Sequence, residues 1–291
     1  MAIFIMTRYN NKKYPQNIPC DISEIAGHFD KKPIIQNSRY SLHTEYSYYK
    51  RKLDNQLLKD LNEIKVASKN GIPQLWKNEI WAKDFFKFIE KLLYNSIEPE
   101  IIEIHPPFID YCNSINNFLN IYEIFEKLIL NKYSNTKIFI ENRYGTNYSK
   151  KFLISNCNDV INLCRNLSEK KLKLQIVLDY PQLMSSEKID FNKKSIDSII
   201  DFNNNIKIFN KYIGGIHLWG KKYINNRSIA HHGNLDTLFN DNSTDKDLFL
   251  KSVYDTFNDD VLRYMVLEVN SNVDDLHDII NDLIKYNFKF I

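Results

Sequence analysis

Glycine and proline are scarce, 7 and 8 in 291 residues. No stretch beyond residue 40 is rich in either, so nothing there reads as an interdomain linker. The asparagine-rich stretches (Asn116–Asn117, Asn203–Asn205, Asn225–Asn226) sit between or inside periodic segments and form no low-complexity tract. Cysteine is also rare: Cys20, Cys112, Cys157 and Cys164 include no C-x-x-C pair. That argues against a zinc knuckle or a disulfide framework and predicts reduced thiols in a cytoplasm. Neither sign of charge dominates, because 39 basic and 36 acidic residues are interspersed for a net +3. A histone-like polycation is excluded, and a local basic patch is permitted. No apolar run approaches the roughly 18 residues of a membrane span, and Met1–Met6 is far shorter than a signal-peptide core. A soluble protein without a membrane partner is expected.

What the chain does have is alternation. Ala2–Met6, Arg39–His43, Glu100–His105, Lys137–Glu141, Leu174–Asp179, the run into His217 and Arg263–Glu268 read as strands. Helices are expected at Asp21–Phe29, Leu53–Lys69, Asn78–Tyr94, 115–132, 157–169, 193–209, 245–257 and 273–286. Strand followed by helix throughout predicts a parallel sheet with helices outside, and α/β barrels of about 250 residues fold as one unit. The expectation is therefore one barrel domain over residues 1–291, with seven strands legible.

Strand after strand ends in a side chain that can bind a cation: His43, His105, Glu141, Asp179, His217 and Glu268. Residues two positions earlier share the inward face, and Phe139, Val177, Gly215 and Val266 suit a packed interior, with Glu103 the polar exception. A single histidine so placed is more often a core residue donating one hydrogen bond. Six such endings need a common partner, and a metal supplies one. Mixed imidazole and carboxylate donors suit zinc first, and manganese or iron next, better than magnesium or calcium. The set exceeds the needs of one tetrahedral ion, so two divalent ions per chain are expected, with Glu141 the candidate bridging carboxylate. Two ions are a common clamp for phosphodiester hydrolysis.

These residues resemble endonuclease IV, the apurinic/apyrimidinic endonuclease (family 2) of the xylose-isomerase-like TIM-barrel superfamily. Ala2–Asn10 is similar to that family's second strand, His43-Thr-Glu-Tyr to its His-x-x-Tyr loop, Ile104-His105-Pro106 to its histidine-proline strand end and Ile140-Glu141-Asn142 to its Ile-Glu-Asn. Gly215-Ile216-His217-Leu218 resembles its Gly-Met-His-Leu, His231-His232 falls at a metal-binding histidine, and Leu267-Glu268 matches its final Leu-Glu. The resemblance implies a (β/α)8 TIM barrel in which His43, His105 and Glu141 hold one ion, and Glu141, Asp179, His217 and Glu268 a second. It makes Glu141 and Glu268 the catalytic carboxylates and His231 a further ligand, with His232 as its competitor. Three departures stand out. The family's first strand has no counterpart before Met1; its Asp-x-x-His and Asp-x-His become Asp179-x-x-Gln182 and Ile229-x-His231; and residues 53–97 look longer than the matching segment.

The leading expectation is a metal-dependent hydrolase that cuts DNA at abasic sites. Tyr46, Arg143, Tyr144, Gln182, Trp219, Lys221 and Arg227 are the candidate substrate-binding residues, joined at the rim by Arg8, Tyr48, Tyr49, Arg51 and Lys222. Their cations could neutralise phosphates and their rings stack on bases, although aromatics at a barrel rim also pack for stability. A sugar isomerase or epimerase using one metal is the alternative, with a small sugar as substrate. An iron-dependent oxidase acting on peptides is the third reading. His28 and His277 are read as surface residues on helices.

Overall fold

The computed structural model describes residues 1–36, 38–48, 56–66, 71–145, 151–189, 196–224 and 227–291, without the side chains of 223–228. In chain order the strands are β1 (Ile3–Arg8), β2 (Ile22–Gly27), β3 (Tyr40–Thr44), β4 (Ile101–Ile104), β5 (Lys137–Glu141), β6 (Gln175–Asp179), β7 (Ile213–Leu218), β8 (Lys221–Ile224), β9 (Arg227–Ala230), β10 (Leu262–Leu267) and β11 (Lys289–Phe290). The helices are α1 (Asn62–Lys65), α2 (Glu79–Leu92), α3 (Ile115–Lys132), α4 (Cys157–Lys170), α5 (Tyr180–Ser186), α6 (Asp197–Ile206), α7 (Leu235–Leu238), α8 (Ser243–Phe257) and α9 (Val273–Lys285).

Strands β1 to β7 and β10 make eight, and the pairings described among them are parallel. The fold class is α/β, of the (β/α)8 type. Three expectations are corrected here. Residues 21–29 carry a strand, β2, where a helix was expected. β1 pairs along its length with β10, Ile3 opposite Leu262 through Thr7 opposite Val266. The apolar run at residues 2–6 thus fills the place of the first strand, and the eighth strand is β2. Of the helix expected at Leu53–Lys69, only Asn62–Lys65 is helical among the described residues.

By its internal contacts the chain divides into two compact units, residues 24–175 and residues 1–23 with 176–291. In the first, β3 and β4 pair with His43 opposite Glu103, and β4 and β5 with Ile104 opposite Ile140. Consecutive strand ends are thereby brought level. Prolines 106 and 107 follow β4 and leave no donor with which to extend it. Helix α2 starts where the Asn78 side chain accepts the Trp81 amide and buries Trp81, Phe85, Phe88 and Leu92, spaced as one helical face. Each such side chain contributes about 2–3 kcal/mol when fully removed from water. With Trp76, Phe118, Tyr122 and Phe125, the rings of Trp81, Phe85 and Phe88 form a continuous aromatic cluster.

In the second unit β6, β7, β10 and β1 lie side by side, and β11 adds to β1. The β6–β7 register slips at Gly214, Ile176 facing Ile213 and Val177 facing Gly215, which sets Asp179 beside His217. Gly215 has no room for a side chain, because a Cβ there would stand 2.8 Å from the Tyr264 carbonyl oxygen on β10. Strands β8 and β9 form an antiparallel hairpin after β7, Lys221 opposite Ala230 and Ile224 opposite Arg227.

All four cysteines are buried and unpaired. Among the described residues no helix is long and apolar enough to cross a membrane.

Candidate metal centre

Within residues 24–175, three ligand atoms from three neighbouring strands converge. Glu141 Oε2 lies 3.0 Å from His105 Nε2 and 3.5 Å from His43 Nε2, and the two imidazole nitrogens are 3.4 Å apart. The rings stack at 5.0 Å between centroids. Without an ion, one hydrogen bond can link the two Nε2 atoms, His43 donating to His105; with the Glu141 carboxylate beside both, the same convergence suits a cation. Donors around one tetrahedral ion with bonds of about 2.0–2.2 Å stand about 3.3–3.6 Å from one another, close to the observed spacing. The donor set therefore fits a divalent ion of the zinc, manganese or iron kind.

The surroundings of these three atoms are charged and buried. Glu24 Oε1 is 3.3 Å from His43 Nδ1 and Glu103 Oε1 is 3.7 Å from His43 Nε2. Burial pushes the His43 imidazole down, but the Glu103 and Glu24 charges outweigh it and hold the group well above its usual range. His105 moves the other way, lowered by burial against the opposing pull of Glu141. Glu141 is fully buried; the hydrogen bonds from His105 and His43 and the Arg143 charge overcome that burial and keep the carboxyl well below the ordinary carboxylate range. The Trp76 indole nitrogen donates to the His105 carbonyl oxygen at 2.8 Å, although Trp76 sits in the left-handed region at φ 58°. A bulky residue there is strained, and the bond it makes fixes the backbone of a candidate ligand.

Glu24 is not among the ligands the sequence predicts, because the spacing of residues 21–29 predicts a helix there and not the strand β2. Its place in the alternation of β2 would have put it on the face opposite Ser23. A carboxylate on the second nitrogen of a ligating imidazole fixes the tautomer that leaves the other nitrogen free for metal. Glu24→Leu is accordingly expected to weaken divalent-ion binding about 10- to 100-fold, and Glu24→Gln, which keeps an acceptor oxygen, only a few-fold. Competition with a chromophoric chelator measures both; equal affinities for the leucine variant and the wild type would remove Glu24 from this role.

The unit of residues 1–23 and 176–291 carries a second group. His217 Nδ1 is 3.4 Å from Glu268 Oε1, His231 Nδ1 is 2.9 Å from Glu268 Oε2, and a ligand atom of Asp179 lies within 4.8 Å of one of His217. Glu268 is buried, yet the charges and hydrogen bonds of His231 and His217 hold it far below its usual range. Asp179 ends β6 and caps α5, accepting the Gln182 amide at 3.0 Å and the Trp219 indole N–H at 3.1 Å. The turn that carries the histidines is clamped by Gly220, where a Cβ would come within 2.2 Å of the Asn234 carbonyl oxygen. His231, at φ 61°, faces Glu268; His232 is turned to the Ala230 carbonyl oxygen at 2.9 Å. Of the two rings, it is that of His231 that is set against Glu268.

The expected substrate residues are distributed unevenly. Tyr46 is half-buried against His105 and Phe152, Arg143 packs on Tyr46, and Tyr144 is exposed. Gln182 is buried, and Lys221 donates from Nζ to Ser185 Oγ at 2.7 Å, its pKa lowered by burial against the pull of Asp179. Trp219 and Tyr48 do not lie open at a rim: both are buried, Trp219 with its ring against His231 at 4.5 Å. Arg8 is taken up by the Cys20 carbonyl oxygen. Tyr49, Arg51 and the Arg227 side chain lie outside the described residues. His28 follows a strand, not a helix, and is 2.6 Å from Glu45. His277 does lie on a helix, α9.

Among solved structures the chain is similar to an AP endonuclease of family 2 from Brucella melitensis, at 10% identity over 95% of this chain and 97% of that one, with a TM-score of 0.52. The likeness is one of fold. A xylose isomerase domain protein from Planctomyces limnophilus (7% identity, 91% and 95% covered, TM-score 0.42) and a family 10 glycoside hydrolase from Paenibacillus barcinonensis (10% identity, 91% and 83% covered, TM-score 0.45) also match. No protein-family model and no curated protein matches the sequence.

Proposed function

We propose that the chain is a metal-dependent hydrolase that cleaves a phosphodiester, with DNA carrying an abasic site as its substrate and two divalent ions, zinc foremost, as its cofactors. The observation that carries the proposal is the convergence of His43 Nε2, His105 Nε2 and Glu141 Oε2. A one-metal sugar isomerase would use only Glu141, Asp179, His217 and Glu268 and would not need His43 and His105 as ligands. Bound divalent ions supply Lewis acidity to the phosphoryl group and to the attacking water. The chain's own part is to keep Glu141 and Glu268 ionised at neutral pH, through the histidines that face them. His43, His105, Asp179, His217 and His231 complete the two ligand groups. Tyr46, Tyr144, Gln182, Lys221 and Arg227 are assigned to the nucleic acid, and Trp219 acts on it through Asp179. The name of the Brucella protein supports the abasic-site reading.

A duplex containing one abasic site should be incised by the metal-loaded protein and an intact duplex left whole, with affinity falling as salt rises because phosphate contacts release counterions. Gel analysis of the products tests this. Aldose–ketose interconversion without incision would replace the proposal with the isomerase reading, and iron-dependent oxidation of a peptide with the oxidase.

A further inference from the structure

Arg143 lies two residues beyond Glu141, and both its backbone and its side chain are held. Its amide donates to the Ile154 carbonyl oxygen at 2.9 Å, and Leu153 donates to that of Pro107 at 2.9 Å, so the chain after β5 is tied to the chain after β4. The guanidinium carbon stands 3.9 Å from the centre of the Tyr46 ring, and Nη2 donates to the Tyr46 hydroxyl at 2.7 Å. Tyr46 is wedged in turn against the His105 ring at 5.0 Å and the Phe152 ring at 5.8 Å. A long side chain is thus immobilised beside a group of candidate metal ligands.

Neutralising Glu141 does not by itself account for the placement. Charge-assisted hydrogen bonds close to about 2.7–2.9 Å, whereas Arg143 Nη1 stops 3.7 Å from Glu141 Oε1. A fixed cation there opposes the binding of a divalent ion to the same ligands, and a neutral polyol could accept hydrogen bonds from it but brings no charge to meet it. A phosphoryl oxygen would, because the planar guanidinium matches a phosphate in shape as well as in charge.

Resting on the hydrolase reading above, we infer that Arg143, oriented by Tyr46, is a receptor for a non-bridging phosphoryl oxygen and selects anionic phosphate esters as substrates. The probe is inorganic phosphate, titrated calorimetrically into the metal-loaded full chain, with metal content measured in parallel. Arg143→Gln should weaken phosphate binding at least tenfold while the metal content stays at the wild-type level. Arg143→Lys, which keeps the charge but not the plane, should weaken it several-fold and carries the test should the glutamine variant not fold. In turnover the lysine variant should raise KM more than it lowers kcat. Phosphate affinity unchanged in the lysine variant, or no phosphate binding by the wild type, overturns the inference. Arg143-dependent phosphate binding without incision would leave it standing while the hydrolase reading falls; incision with phosphate binding indifferent to Arg143 would do the reverse.

Discussion

Glu141→Gln is expected to abolish turnover, by on the order of a thousandfold or more, and to empty the His43–His105 group of metal. The substitution keeps the volume of a fully buried side chain and removes only its charge. Both imidazole nitrogens then lose the anion that faces them at 3.0 and 3.5 Å. An amide oxygen is a weak ligand for a borderline ion, and two imidazoles alone compete poorly with water. Elemental analysis of the purified variant supplies the decisive number. Loss of more than one ion per chain is the signature of a bridging carboxylate; loss of one is that of a carboxylate serving His43 and His105 alone. A variant with full metal content would remove Glu141 from the ligand set.

Stripping the wild type with a strong chelator should be as damaging and reversible. Ions at a thousand times their dissociation constant stabilise the folded state by about 4 kcal/mol, and each kcal/mol shifts Tm by about 2–4 °C in a chain of this class. Chelation should therefore lower Tm by about 10 °C and stop incision, and readdition of zinc or manganese should restore both. The sign of the pH effect follows from His43. Its pKa is raised in the metal-free fold, by Glu103 and Glu24 against the effect of burial, so the ion competes with a proton held more tightly than on a free imidazole. Rebinding should release that proton, and affinity should fall as pH is lowered. Calorimetry in buffers of differing ionisation enthalpy checks this; no dependence on the buffer would contradict it. A Tm indifferent to chelation would mean that these ligands hold no ion.

The strand ends were legible because their chemistry interrupts a simple pattern. An apolar run that breaks at His43, Glu141 or His217 reads as a buried parallel strand with a functional tip. β2 was not legible for the same physical reason in reverse. Ile22, Ile25 and Phe29 have helical spacing, and Glu24 breaks the apolar run inside the strand instead of at its end. A carboxylate is tolerated there because His43 faces it, a tertiary contact that no local window contains. The β8–β9 hairpin left a fainter trace, two four-residue runs on either side of an Asn-Asn pair. Trp76 and its bond to His105 left none, because a tryptophan at positive φ contradicts every local preference.

The split of the chain into residues 24–175 and residues 1–23 with 176–291 bears on how the protein is made. The first unit is contiguous and can condense as soon as its own residues have left the ribosome. The other is interrupted. Strand β1 is synthesised about 250 residues or more ahead of its partners at Leu262–Val266 and Lys289–Phe290. At about 5–20 residues per second, that separation corresponds to roughly ten to fifty seconds of translation. Over that interval an apolar strand waits with the edge meant for β10 uncovered, so chaperone holding early in synthesis matters more for this half than for the contiguous one.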